Sequence, residues 1–382
     1  MRKLQDLNIV EKNIALRLDL NVPIQGDKVL DDTRILASIP TIQYLLDANC
    51  RILIISHLGR PTEGIFDPAN SLEPVAKHLS ELLNVDVSLN KELTRDACFH
   101  SFDSPITMLE NIRCFVGEKD NDKNFSRNIA DLCDVYVFDA FGTSHRAQSS
   151  TYGAILSTEH SCAGLLVEKE VASLSKAFKS FNQPLISIVG GSKVSTKLSV
   201  LQKLSDISDH IIVGGGIANT FLMAQGFSVG NSLVEEDMLE IAEEILKKGN
   251  CILPTEVFTA KSLDDVSATR KSIDSIEDDD MILDISIDQN YGEIIESAKT
   301  IIWNGPAGVF EKEPFKTGTK SLASFIADSD AFSIAGGGET IAAINEFINP
   351  QDIGYISTAG GAFLEFLEGK RLPALEALGY EF

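Results

Sequence analysis

No apolar run in the 382 residues approaches the roughly 20 that a helix needs to cross a bilayer. The opening stretch MRKLQDLNIVEKN is mixed and charged, with no apolar core of a secretory signal. Cysteine is sparse: Cys50, Cys98, Cys114, Cys133, Cys162 and Cys251 form no C-x-x-C pair and keep no regular spacing. Their mostly apolar surroundings fit reduced core residues better than a disulfide frame or a zinc site. The cytoplasm is therefore the expected compartment. Basic residues are outnumbered, 33 against 56 acidic, giving a formal charge of −23. Such a surface repels polyanions, so neither nucleic acid nor an anionic membrane is an expected partner. The G-x-x-x-x-G-K-[ST] of P-loop enzymes and the G-x-G-x-x-G of dinucleotide folds are also missing, and no serine-nucleophile elbow is expected.

What is present suits two cores. The length favours two domains, and the 44 % hydrophobic fraction is ample for both. Short Ile/Val-rich runs recur at Ile14–Leu20, Arg51–Ser56, Val135–Asp139, Pro184–Val189, His210–Val213, Thr300–Trp303, Ala331–Ala335 and Ile353–Ser357. Several are apolar on both faces, as parallel strands covered by helices must be. Segments of helical spacing, such as Thr33–Asn49 and Leu72–Leu83, separate them. The alternation predicts an α/β chain of two doubly wound, Rossmann-like parallel sheets. The expected domains are 1–165, with the tail 366–382 returning to it, and 181–365. A helical hinge over 166–180 joins them.

Ligands in such sheets sit beyond the carboxyl ends of strands, so the loops there carry the chemistry. In the first half these loops hold Asp19, Asn21, Arg34, His57, Arg60, Arg113, His145 and Arg146. Guanidinium groups bind phosphate and carboxylate through paired donors. Four arginines and two histidines would balance a small metabolite bearing both groups. Any one arginine alone reads more simply as a surface ion pair; the grouping in four loops argues otherwise. In the second half the loops are glycine-rich: Gly190-Gly191, Gly214–Gly216 and Gly336–Gly338, each followed by helix-forming sequence. Glycine lets backbone approach phosphate oxygens, and a helix N-terminus offers free N–H groups. Lys193 and Lys197 lie four apart, so on a helix they would share a face. Glu339 stands where a phosphate-bound Mg²⁺ would want an oxygen, and Glu311 could accept from ribose hydroxyls or simply face solvent. A Gly-Gly pair taken singly marks only a tight turn.

The ordered set RLDLNVP, DDTRI, SHLGRP, LENIRC, DAFGTSHRA, GGSKVSTK, GGGIANTFL, WNGPAGVFE, GGGET and STAGGA closely resembles phosphoglycerate kinase, from about Arg17 to Leu378. The resemblance implies reversible transfer of the acyl phosphate of 1,3-bisphosphoglycerate to Mg-ADP, giving ATP and 3-phosphoglycerate, in a hinged, two-lobed monomer of glycolysis. It implies that Asp19, Leu20, Asn21, Arg34, His57, Leu58, Gly59, Arg60, Arg113 and Arg146 hold the phosphoglycerate. Lys193, Lys197, Gly215, Asn304, Glu311, Gly336, Gly337, Gly338, Glu339 and Thr340 would hold ATP or ADP, with Mg²⁺ met by Glu339 and the nucleotide phosphates. Arg34, Lys193, Gly360 and Gly361 would flank the phosphoryl group in transit.

Three positions depart from the family's pattern. Glu339 stands for the usual Asp, Ala359 replaces the first glycine of the STGGGA turn, and Asp284–Gln289 replaces a DIGPKT segment. All three lie on the nucleotide side. Two other readings remain at this point: a weak enzyme or binding protein that keeps the phosphoglycerate site, and a nicotinamide oxidoreductase, which the missing fingerprints disfavour.

Overall fold

The computed structural model describes residues 1–101 and 103–382. Contacts divide the chain into two compact units, Met1–Ala172 with Arg371–Phe382, and Ser173–Lys370. Each is built on a six-stranded, all-parallel sheet. In the first unit the spatial order is Val87–Asn90, Ile106–Leu109, Arg51–Ile55, Asn13–Leu18, Val135–Asp139 and Ser161–Ala163. In the second it is Cys251–Ile252, His210–Gly214, Leu185–Gly190, Thr300–Asn304, Phe332–Gly336 and Tyr355–Ser357. The central strands are buried along almost their whole length, which is why their sequences run apolar rather than alternate.

In both sheets the chain starts in the middle, fills one side, then crosses to fill the other. The crossing point lies between Asn13–Leu18 and Val135–Asp139 in the first unit, and between Leu185–Gly190 and Thr300–Asn304 in the second. At such a point neighbouring loops diverge and leave a crevice at the carboxyl end. The loops after three of these strands carry Asp19, Arg146 and Lys197, and Asn304 ends the fourth.

The helix Leu165–Phe178 contains the division between the units. Its first turn is held by the buried Asp139, whose Oδ1 accepts from Val167 N (2.9 Å) and whose Oδ2 accepts from Thr41 Oγ1 (2.5 Å). Gly164 is required there, because a Cβ would lie 2.3 Å from the Asp139 carboxyl carbon. The tail returns to the first unit: Ala374 N donates to Ser144 O (3.1 Å) and Arg2 N to Leu378 O (3.0 Å). Five cysteines are buried and Cys251 is half-buried, all as free thiols.

A three-stranded antiparallel sheet, Glu256–Ala260, Thr269–Ser272 and Met281–Ile285, was not legible. Its edge strand TRKS is polar and mostly exposed, and reads as a loop. The divergent Asp284–Gln289 segment ends its third strand. Asp288 then caps the helix Gln289–Ser297 by accepting from Asn290 N (3.0 Å) and Tyr291 N (3.4 Å).

Candidate active site

In the first unit the loops beyond the strands converge on a cluster of guanidinium groups. Asp19 and Asn21 follow Asn13–Leu18, and Arg34 sits in the first turn of the helix Thr33–Asp47. Arg34 Nη1 reaches both Asp19 Oδ1 (3.3 Å) and Asn21 O (2.9 Å). Asn21 Oδ1 accepts from Gly59 N (2.9 Å), while Leu20 N donates to Ser56 Oγ (3.0 Å). Leu58 O accepts from Asn111 Nδ2 (2.7 Å), and Gly59 O from Arg113 Nη1 (2.6 Å). The SHLGRP loop is thus sewn to its neighbours by bonds between backbone and side-chain groups, with Gly59 in the left-handed region.

The charge there is unusual. Burial drives His57 well below its ordinary value, followed by the fields of Arg17, Arg113, Arg146 and Arg34. For His57 this runs against the expectation that both histidines add positive charge, because its burial and the surrounding guanidinium groups favour the neutral ring. Arg113 is lowered to about 10 by burial, then by Arg146 and Arg17. Its Nη2 is buried and has no hydrogen-bond partner among the described residues. A buried guanidinium donor left unpaired is costly, and an incoming anion relieves that cost. Arg146 is half-buried, its Nε 3.3 Å from His145 Nε2. Arg60 is exposed and forms no hydrogen bond or ion pair among the described residues.

Two residues escaped the sequence reading. Arg17 is 1 % exposed, inside a strand, and its Nη2 lies 3.3 Å from His57 Nδ1. Glu118 is equally buried and bonds Ser150 through N (2.9 Å) and Oγ (2.6 Å). An arginine within an apolar strand was the available signal; Glu118 sits in a polar stretch and offered none.

In the second unit Lys197 is the centre. Its Nζ donates to Asn304 O (3.0 Å) and to Gly190 O, both at strand ends. Burial lowers it to about 8, with the Glu339 carboxylate opposing the shift. The helix expected to carry Lys193 and Lys197 on one face begins only at Leu198. Both lysines lie in the preceding loop, so they are placed by turns; Thr196 Oγ1 donates to Lys193 O (2.8 Å). Lys193 is exposed.

The glycines bring three loops together. A Cβ on Gly190 would fall 1.8 Å from Pro306 O, so only glycine lets the 305–307 turn lie across that strand end. Gly215 N donates to Ala307 O (2.8 Å). Asn304 Nδ2 donates to Gly336 O (2.6 Å), and Gly305 N to Thr340 Oγ1 (2.8 Å). Asn304 Oδ1 is buried without a partner among the described residues. Gly337 precedes the helix Gly338–Phe347, whose first turn carries the exposed Glu339. Glu311 is exposed beyond the 305–310 turn. Ala359 avoids the left-handed region, which falls on Gly360 at φ 50°, ahead of Gly361. The alanine is therefore accommodated without backbone strain.

One further string, Gly226–Gly230, has the G-x-S-x-G spacing. It lies in the loop after the helix Gly215–Ala224 rather than on a strand-to-helix turn, so it forms no nucleophile elbow.

Comparison with known proteins gives one answer. A family model described as phosphoglycerate kinase matches residues 4–370. The phosphoglycerate kinase of Francisella philomiragia is 50 % identical over 98 % of this chain and 97 % of its own. That of Vibrio campbellii is 47 % identical over 98 % of each. Among solved structures, phosphoglycerate kinase from Coxiella burnetii superposes with a TM-score of 0.93 at 44 % identity, covering 99 % of this chain and 98 % of that one.

Proposed function

The chain belongs to the phosphoglycerate kinase family and transfers a phosphoryl group between 1,3-bisphosphoglycerate and ADP in glycolysis; from that premise we propose how its residues divide the work. The first unit holds the phosphoglycerate. The observation that carries this assignment is the unpaired, buried Nη2 of Arg113 within a field of four arginines around a neutral histidine. A phosphate monoester brings about 1.5 to 2 negative charges, and a carboxylate one more, which this cluster can balance. Arg34, Arg113 and Arg146 take the anionic groups, while Asp19, Asn21 and the 57–60 loop orient the rest.

The second unit takes the nucleotide. Lys197 faces the phosphates, the 336–340 loop offers backbone N–H groups, and Asn304 and Glu311 would serve the remainder of the nucleotide. Glu339 supplies a single exposed carboxylate beside Lys197, which fits an ion that keeps waters and phosphate oxygens as its other ligands. Mg²⁺ bound there with the phosphates would neutralise charge on the transferred group. Glutamate reaches one methylene further than aspartate and would present its carboxylate from that added length.

Phosphoryl transfer asks the protein mainly for positioning and for cations around the migrating group. Arg34 and Lys193 supply those cations, with the backbone of Gly360 and Gly361. Acyl phosphates hydrolyse readily, so the reaction also needs water kept out; a hinge closure of the two units would do that. The acidic surface, reduced cysteines and small-molecule substrates suit a cytoplasmic monomer with no nucleic-acid partner. The test is ATP formation from 1,3-bisphosphoglycerate and Mg-ADP in a coupled assay. Arg34→Ala and Lys193→Ala should each lower kcat by about 100-fold or more, as for a lost transition-state contact. Unchanged turnover in both would refute their roles.

A further inference from the structure

We propose that Glu118, acting through Ser150 and Arg17, fixes His57 as a neutral imidazole with its proton on Nε2, so that His57 donates a hydrogen bond to the phosphoglycerate instead of adding a charge. The inference rests on the assignment of this pocket to phosphoglycerate. It makes Glu118 and Ser150 positioning residues for a group that touches the ligand.

The direction of each bond follows from which atoms own protons. Arg17 Nη2 lies 3.3 Å from His57 Nδ1. A guanidinium has donors and no acceptor, so Nδ1 must present its lone pair, and the neutral ring carries its proton on Nε2. Protonating the ring would set N–H against N–H at that contact. Nε2 stands 3.9 Å from Asp19 Oδ1, beyond hydrogen-bond range. The charged groups around the ring are Arg17, Arg34, Arg113 and Arg146, with the Asp19 carboxylate near Nε2.

Arg17 is itself held from behind. Its Nε donates to Ser150 Oγ (2.9 Å), and its Nη1 donates to Leu18 O. Ser150 has one hydroxyl proton, and with Arg17 able only to donate, that proton goes to Glu118 Oε1 at 2.6 Å. Glu118 Oε2 accepts from Ser150 N at 2.9 Å, and Tyr136 Oη donates to Ser150 O at 2.5 Å. Both bonds of the Glu118 carboxylate are accepted, as an ionised carboxylate requires. Its charge offsets Arg17 and Arg113, which lie in its field. Burial raises its pKa above the ordinary carboxylate value, and the two arginines and the two Ser150 donors offset only part of that rise. The line Glu118, Ser150, Arg17, His57 therefore has one consistent polarity, set by the acid at its buried end. A neutral donor at the ligand end keeps the same form across the physiological pH range. That suits an enzyme whose ligand already meets several permanent cations.

The direct test is nitrogen NMR on protein labelled with ¹⁵N-histidine, with His57 assigned by its loss in His57→Gln. The expected result is one neutral Nε2–H tautomer that does not titrate between about pH 6 and 8. A dominant Nδ1–H tautomer, or a midpoint near the ordinary value of about 6.5, would overturn the proposal. Ser150→Ala and Glu118→Gln should mix the tautomers and raise KM for 3-phosphoglycerate about ten-fold, leaving KM for ATP unchanged. Folded variants with native tautomer and native KM would refute the relay. The tautomer is read in the native protein without any activity measurement, so its failure sinks this inference while the assignment of function stands. Loss of binding to 3-phosphoglycerate by the native protein would instead sink the assignment.

Discussion

At the level of single residues, the two anion sites solve opposite problems. Arg113 keeps its charge although burial and two neighbouring arginines lower it to about 10, and its Nη2 has no partner among the described residues. Arg113→Ala should raise KM for 3-phosphoglycerate by roughly 10- to 100-fold, the worth of a charge-assisted hydrogen bond of about 1.5–3 kcal/mol. KM for ATP should not change, and steady-state kinetics with each substrate varied in turn reads the difference. Lys197, in contrast, is brought to about 8 by burial. Bound phosphates favour its charged form and raise that value again. ADP binding at pH 8 to 9 should therefore take up protons, seen as a buffer-dependent heat in titration calorimetry. The uptake should vanish in Lys197→Arg, whose guanidinium stays charged throughout. On stability the sign is also fixed. The unfolded lysine binds its proton up to about 10.5 and the folded one only to about 8, so this group's penalty shrinks as pH rises through that window.

At the level of elements, the strands and loops were legible and their neighbours less so. Val135–Asp139 reads directly from sequence because a strand buried on both faces needs an unbroken apolar run. Val87–Asn90 and Ile106–Leu109 stand out less in sequence; they are only four residues each, and the former lies at the sheet edge with a half-buried Ser-Leu centre. The lysine pair was misread for a different reason. A four-residue spacing marks a helical face only inside a helix, and here the helix starts at Leu198, after both. Arg17 was hidden because burial of an arginine depends on partners from distant loops, Ser150 and His57, which spacing does not reveal. The motif residues themselves, at strand ends, were readable because topology alone puts them there. Asp139 shows what such an end can do structurally. Asp139→Ala would strand the Val167 N–H and the Thr41 hydroxyl and remove the cap of Leu165–Phe178. A loss of about 1–3 kcal/mol in denaturant unfolding is expected. A change within about 0.5 kcal/mol would show the cap to be replaceable.

For the whole molecule, the acidic balance of −23 coexists with a local excess of arginine in one unit and a lysine-centred, glycine-lined site in the other. The departures Glu339, Ala359 and Asp284–Gln289 all fall in the second unit, yet each is absorbed: an exposed carboxylate, an unstrained alanine, a strand end and capped helix. The division of labour between units is best measured by hydrogen exchange with mass spectrometry on the intact chain, with 3-phosphoglycerate or ADP added singly. Phosphoglycerate should slow exchange in the 17–21, 57–60, 111–118 and 143–151 stretches, and ADP in 190–197, 214–219, 304–311 and 336–340. Protection of the arginine-bearing stretches by ADP, or of the glycine-rich ones by phosphoglycerate, would contradict the assignment of one ligand to each unit.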